Sequence, residues 1–150
     1  TIAAATGKAP RGWIGPGGGD QSPNTLHHLA GEGVDYVCDW GFDDQPHVMR
    51  VKSGRMIAIP YQQGLNDIRV MFQGGHTPKD WLQMVCDQFD QLYAEGATQS
   101  RVMTIPLHPF VIGLAFRIKY LDKALEYIGS HEGVWKATGA EIAHHYYANY

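Results

Sequence analysis

The run Val34-Asp35-Tyr36-Val37-Cys38-Asp39-Trp40 decides the fold class, because it predicts a buried strand that ends in polar residues. A second strand-like run, residues 101–108, follows the clearest helical pattern of the chain, which begins at Pro78 and closes at Gly96. Strands that alternate with helices are typical of a parallel α/β fold. We expect about four such units, too few to close a barrel, so that another segment must cover the sheet edge.

Shorter elements are predicted on both sides of this run. Residues 10–14 are expected to form a strand before a glycine-rich loop, and Ser22 is expected to begin a helix. Residues 48–51 and 56–59 flank a Ser-Gly turn and predict a hairpin. A last short strand is predicted over residues 134–137. These elements extend the alternation of strands and helices along the chain.

Two capping boxes mark helix starts in the second half of the chain. Thr77 with Asp80 and Thr138 with Glu141 each place a carboxylate three residues after a threonine. Between them, apolar residues at helical spacing predict a helix over residues 117–128. The residues expected on its inward face are Ile118, Leu121, Leu125 and Ile128.

The composition is that of a folded globular chain. Of the 150 residues, 44% are hydrophobic and 18% are charged, which excludes a disordered chain. The net charge of -3 argues against a nucleic-acid partner. No run is long and apolar enough to span a bilayer, so we expect no membrane partner either.

The two cysteines and the first residues bear on location. Cys38 and Cys86 lie in apolar contexts without a CxxC pair, which favours free thiols over a zinc-thiolate site. Residues 1–9 are expected to be irregular and lack the shape of a signal peptide. We therefore expect a cytoplasmic protein whose folded part covers residues 10–150.

Polar side chains follow successive predicted strands. Taken singly, each has a structural explanation: an arginine braces a loop, an aspartate caps a turn, and a histidine is as often structural as functional. In parallel α/β barrels, however, active residues gather at the carboxyl ends of strands. Their joint occurrence favours a catalytic site in one pocket. The segments concerned are Arg11-Gly12-Trp13, Asp39-Trp40, Asn66-Asp67 and His108-Pro109.

These segments resemble, in order, the third to fifth motifs of NodB-homology polysaccharide deacetylases. The loop sequences are most similar to the branch that contains metal-independent allantoinases and cyclic imide hydrolases. The resemblance implies the C-terminal half of a distorted (β/α) barrel over residues 10–150. The matching pieces are residues 11–17, 36–46 and 107–109, with support from residues 59–61, 65–67, 87–93, 117–121 and 131–135.

The resemblance also implies roles for individual residues. Arg11 would hold the catalytic carboxylate of the first family motif, and Asp39 would orient or charge-balance the catalytic histidine. His108 would be the general acid that protonates the leaving nitrogen, a task suited to an imidazole at neutral pH. The residues expected to contact substrate are Trp13, Trp40, Asn66, Asp67 and Pro109.

The first two family motifs, an Asp-Asp segment and a His-x-x-x-His segment, are absent from this sequence. We therefore expect no metal bound by this chain alone, although a divalent metal such as zinc could be held by the missing half. The adjacent pairs His27-His28 and His144-His145 point in different directions on predicted helices, and His76 flanks a loop. Their expected roles are in packing or at the surface, with a substrate contact left open for His76.

The expected activity is hydrolysis of a non-peptide C–N bond, in a linear amide or a cyclic imide or ureide. The carboxylate base would come from an N-terminal half, as a separate or cleaved chain, and the complete unit is expected to form a homo-oligomer. One alternative is N-deacetylation of amino-sugar polymers such as peptidoglycan or chitin oligosaccharides. Another is a non-catalytic half-barrel subunit, which the presence of charged residues at the strand ends disfavours.

Overall fold

Five α-helices and four two-residue strands form the regular structure of the described residues, which comprise residues 1–17 and 19–150 in full and Gly18 as backbone alone. They come from a computed structural model. The helices are α1 Ile2–Thr6, α2 Thr25–Gly31, α3 Pro78–Glu95, α4 Ile118–Gly129 and α5 Gly139–Asn149. The strands are β1 Gly12–Trp13, β2 Tyr36–Val37, β3 His47–Val48 and β4 Ile57–Ala58. Shorter helical turns cover Pro16–Gly18, Gln63–Leu65 and Ile68–Gln73.

The backbone contacts divide the chain into two units. The first unit comprises Thr1–Pro60 and Ala137–Tyr150, and the second comprises Tyr61–Lys136. The first unit contains all four strands, whereas α3 and α4 belong to the second. The fold is therefore α/β with a partial sheet, as the sequence predicts.

A four-stranded sheet organises the first unit, in the order β1-β2-β4-β3. The pairs β1/β2 and β2/β4 are parallel, and β3 runs antiparallel to β4. The last pair confirms the predicted hairpin. The central strands are the buried ones, because Val37 and Ile57 are both fully inaccessible to solvent. Ala30 of α2 packs with Val34 and Val37 in one apolar cluster beside the sheet.

Helix α5 packs against β2 through Tyr36 and Tyr147. The Tyr147 hydroxyl donates to the Asp35 carbonyl oxygen at 2.7 Å. The Tyr36 ring lies so close to Gly12 and Gly139 that a Cβ at either position would collide with it. Glycine on both sides leaves room for this ring in its position between the C-terminal helix and the start of the sheet.

The second unit is built around the packing of α3 on α4. Trp81 is fully buried, and its indole N–H donates to the Leu65 carbonyl oxygen at 2.9 Å. Val85, Val111 and Ala124 are also fully buried in the same cluster. This core holds the helices and loops of the second unit in place.

Both capping boxes are confirmed. The Asp80 carboxylate accepts from the Thr77 backbone N–H at 2.9 Å, and the Thr77 hydroxyl oxygen accepts from the Asp80 N–H at 3.2 Å. Thr138 and Glu141 make the same reciprocal pair at the start of α5. These bonds satisfy backbone donors that a helix cannot pair internally.

Two predicted strands are wrong. Among the described residues, 101–108 and 134–137 belong to no strand. The first run uses isolated bonds instead: Thr104 Oγ1 accepts from the Gln62 N–H, and the Pro106 carbonyl oxygen accepts from the Asp67 N–H. Pro106 itself has no N–H to give to a ladder.

Three finer expectations are also corrected. Helix α2 begins after Asn24 and not after Ser22. The Ser22 hydroxyl accepts from the Asn24 N–H instead. Helix α1 occupies a segment that was expected to be irregular. On α4, Ala124 is the fully buried residue and Leu125 is 53% exposed, so the buried face is rotated from the expected one.

Candidate active site

The best-defined polar pair of the chain joins His108 to Asp67 within the second unit. His108 Nδ1 lies 2.6 Å from Asp67 Oδ1, and the His108 backbone N–H donates to Asp67 Oδ2 at 2.8 Å. The Asp67 side chain is fully buried, whereas the His108 side chain is 31% exposed. One carboxylate thus holds both the backbone and the ring of a histidine that solvent can reach.

The segment around Asp67 is itself rigidly bonded. Asp67 Oδ1 also accepts from the Ile68 N–H at 2.8 Å and so caps the helical turn that begins there. The Asn66 side chain accepts from the same N–H at 3.1 Å. Both Asn66 and Asp67 are buried. Both side chains are engaged in local bonds, and the predicted substrate contacts of these two residues stay a prediction.

His108 is anchored on its C-terminal side as well. Its carbonyl oxygen accepts from the N–H groups of Val111 and Ile112, both of which are buried. Pro109 contributes its carbonyl oxygen to the Gly113 N–H at 3.1 Å, in a turn too tight for a Cβ at Gly113. The exposed Phe110 ring meets the imidazole edge-on, with 5.6 Å between ring centroids. The imidazole therefore sits on a fixed turn beside an aromatic side chain.

Asp39 lies in the first unit, where its carboxylate holds the glycine-rich loop. Oδ1 accepts from the Gly15 N–H at 2.6 Å, and Oδ2 accepts from the Gln21 side-chain amide at 2.9 Å. A Cβ at Gly15 would lie 3.0 Å from the Asp20 carbonyl oxygen and within 3.4 Å of the Asp39 carboxylate. This close approach explains why glycine follows Ile14.

Arg11 forms an ion pair with Asp35 inside the first unit. The Arg11 side chain is 58% exposed, so much of the guanidinium still faces solvent. Trp13 and Trp40 are exposed too, and Trp40 stacks on Phe42 at 6.2 Å between ring centroids. The Arg11 cation therefore lies before β1, whereas the Trp13 and Trp40 rings lie at or beyond the carboxyl ends of β1 and β2.

Of the predicted site residues, the structure brings together Asp67, His108 and Pro109 in the second unit. In the first unit, Trp13, Asp39 and Trp40 lie at or beyond the carboxyl ends of β1 and β2, whereas Arg11 precedes β1 and pairs with Asp35 at the amino end of these parallel strands. Convergence of the two groups on one pocket stays a prediction. The link from Asp67 to His108 was missed from sequence. Its only local signal was the position of Asp67 directly before a helical turn, which indicates a cap and not a histidine partner.

The thiol and metal chemistry of the described residues is limited. Burial, together with the charge of Asp39, raises the pKa of the Cys38 thiol to about 11. Cys38 and Cys86 are both free cysteines. Across the part of the chain that the structure describes, no group of three or more His, Cys, Asp or Glu side chains is placed to hold a metal ion. No described helix is long and apolar enough to cross a membrane.

The chain is similar in sequence and fold to proteins of known structure or function. No family model matches the chain. The peptidoglycan deacetylase of Helicobacter pylori is 31% identical over 110 residues, which are 73% of this chain and 32% of that protein. The crystal structure of Puue allantoinase is 34% identical with a TM-score of 0.86 and matches 99% of this chain and 49% of its own.

A probable polysaccharide deacetylase from Pseudomonas aeruginosa is 33% identical with a TM-score of 0.88, over 99% of this chain and 50% of its own. The chain thus spans about half the length of the solved structures that it matches, and these are (β/α) barrel chains. In sequence and fold it is a polysaccharide deacetylase-like segment that has an allantoinase among its structural relatives.

Proposed function

We propose that this chain supplies the general acid of a hydrolase that cleaves a non-peptide C–N bond. The observation that carries the proposal is His108, an accessible imidazole whose Nδ1 is occupied by a buried carboxylate. Such a histidine presents Nε2 to its surroundings and can donate a proton from it. Similarity to deacetylases and to an allantoinase supports the same class of reaction, since both act on C–N bonds.

The reaction consumes one water and one amide bond. The water oxygen attacks the carbonyl carbon while a carboxylate base takes a proton from it. His108 then gives the Nε2 proton to the leaving nitrogen as the C–N bond breaks. The products are a carboxylic acid and an amine, and the histidine recovers its proton from the base or from solvent.

The base is proposed to come from outside these 150 residues. The resemblance assigns it to a motif that this sequence lacks, and the matched solved chains are about twice as long. Arg11 would hold that carboxylate, and its large exposed fraction leaves it able to do so beside Asp35. A divalent metal such as zinc would need ligands from the same missing half, and no step is assigned to it here.

The preferred substrate class is a small cyclic imide or ureide, or a linear amide. Similarity to an allantoinase over nearly the whole chain supports it. The second candidate is N-deacetylation of an amino-sugar polymer, which similarity to a peptidoglycan deacetylase over 73% of the chain supports. We further propose a homo-oligomer of the complete unit in the cytoplasm, where Cys38 and Cys86 would remain reduced.

A substrate panel tests this proposal and separates the two candidates. The protein, combined with its complementary half, is incubated with allantoin, succinimide and N-acetylglucosamine oligomers. Ring opening produces a new carboxylate without acetate, whereas deacetylation releases acetate and a free amine. We expect ring opening of a cyclic probe that is lost in His108→Gln. No product from any probe, or equal turnover by His108→Gln, would contradict the assignment.

A further inference from the structure

We infer that Asp67, and not Asp39, is the positioning residue of His108. This inference rests on the proposed role of His108 as general acid. It reassigns the task that the family resemblance gives to Asp39. It also gives a function to a carboxylate that is fully buried.

Two hydrogen bonds join Asp67 to His108 and together form the Asp67–His108 clamp. Asp67 uses Oδ2 for the His108 backbone N–H at 2.8 Å and Oδ1 for the ring Nδ1 at 2.6 Å. Two bonds from one carboxylate fix both the main chain and the rotation of the imidazole. Asp67 also accepts from the Ile68 N–H, and its own N–H donates to the Pro106 carbonyl oxygen. These additional bonds leave the clamp little freedom.

This arrangement determines which ring nitrogen does chemistry. An ionised carboxylate only accepts hydrogen bonds, so the nitrogen that faces it must carry a proton. The neutral imidazole is then the Nδ1–H tautomer, and the proton that leaves on donation is the one on Nε2.

Asp39 is engaged differently. Its two oxygens accept from the Gly15 N–H and the Gln21 amide, and both donors belong to the glycine-rich loop or its immediate continuation. This carboxylate therefore braces the loop that follows β1. A bracing role predicts that its removal disturbs the loop without changing the His108 tautomer.

The tautomer can be measured directly in the unmodified protein. Long-range nitrogen–proton correlation spectra of the ¹⁵N-histidine-labelled protein, combined with its complementary half, distinguish the two neutral tautomers, and His108→Gln assigns the signal. We expect the Nδ1–H tautomer at a pH where His108 is neutral, and the same tautomer in Asp39→Asn. An Nε2–H tautomer in the unmodified protein would overturn the inference, whatever the catalytic activity proves to be.

Kinetics test whether the clamp acts through the histidine. Asp67→Asn places an amide N–H opposite Nδ1, which favours the opposite tautomer and removes the charge. We expect kcat to fall at least about tenfold. The exposed pair formed by Asp43 and His47, at 2.7 Å, provides a control: Asp43→Asn should leave kcat unchanged.

A double-mutant cycle completes the test. In a His108→Gln background, Asp67→Asn should cost no further activity, because its effect passes through the absent imidazole. Additive losses would show that Asp67 acts as a fold constraint alone and would overturn the inference. If His108→Gln alone kept full activity, the proposed function would be wrong. The tautomer measurement would still show whether Asp67 positions the His108 ring.

Discussion

At the scale of single residues, the accessible imidazole of His108 contrasts with the partly buried thiol of Cys38. His108 is accessible and held by a buried carboxylate, whereas Cys38 lies beside the Asp39 charge in a partly buried position. Burial and a neighbouring negative charge both disfavour an anion. The Cys38 thiol is therefore protonated near neutral pH.

This contrast predicts slow alkylation of Cys38. With its pKa raised to about 11, roughly one thiol in a thousand is ionised at pH 8, and only the thiolate reacts quickly. In a Cys86→Ser background, the rate with iodoacetamide should climb about tenfold per pH unit from pH 7 to 10. Mass spectrometry of the alkylated peptide gives the rate at each pH. A plateau already reached below pH 9 would mean that the thiol is not protected.

At the scale of elements, the start of α3 depends on a charged cap. Hydrogen bonds from the Thr77 hydroxyl and backbone N–H lower the pKa of the exposed Asp80 carboxyl. A carboxyl whose pKa is lower in the folded state stabilises that state above its unfolded pKa, and the contribution disappears as pH falls through the folded value. The cap should therefore work at neutral pH and fail in acid.

Asp80→Asn tests this sign. Its urea midpoint should lie below that of the unmodified protein at pH 7, and the difference should shrink toward zero in acid, as the pH falls through the lowered pKa of the wild-type carboxyl. Asp122→Asn, an exposed substitution on α4, should leave the midpoint unchanged at both pH values. A difference for Asp80→Asn that persisted undiminished in acid would rule out the charged-cap explanation.

Local patterns were sufficient for some elements and not for others. The start of α3 could be predicted because Thr77, Pro78 and Asp80 are adjacent in sequence. Residues 101–108 were assigned to a strand because their apolar run suits a buried strand as well as a loop that lines a core. The hydrogen bond from Asp67 to His108 spans 41 positions, so no local periodicity indicates it. Sequence analysis therefore named both residues as site candidates but did not predict the hydrogen bond between them.

At the scale of the whole molecule, the sheet of the first unit ends in the short strand β1, which pairs with β2 on one side alone among the described residues. Beside it, Trp13 and Ile14 are large apolar residues left exposed. Unpaired strand edges of this kind are usually covered by further chain. A segment carrying the first two family motifs would extend the sheet at this edge.

We therefore expect the active particle to contain further polypeptide of comparable size for each copy of this 16.7 kDa chain. Native mass spectrometry of the active protein, compared with its mass under denaturing conditions, measures this directly. Chemical cross-links from Lys8, which is exposed shortly before β1, should reach the additional segment. A fully active particle built from copies of these 150 residues alone would refute the half-barrel account.

The central claim is that His108 donates the proton to the leaving nitrogen, and leaving-group dependence tests it most directly. The measurement is kcat of the unmodified protein and of His108→Gln on two amides with the same acyl group, one with a basic alkylamine leaving group and one with a weakly basic nitroaniline. The account predicts a loss on the order of 10²–10⁴ for the alkylamide and a much smaller loss for the anilide, which needs little protonation to depart. Equal losses for both substrates, or no loss for either, would contradict it.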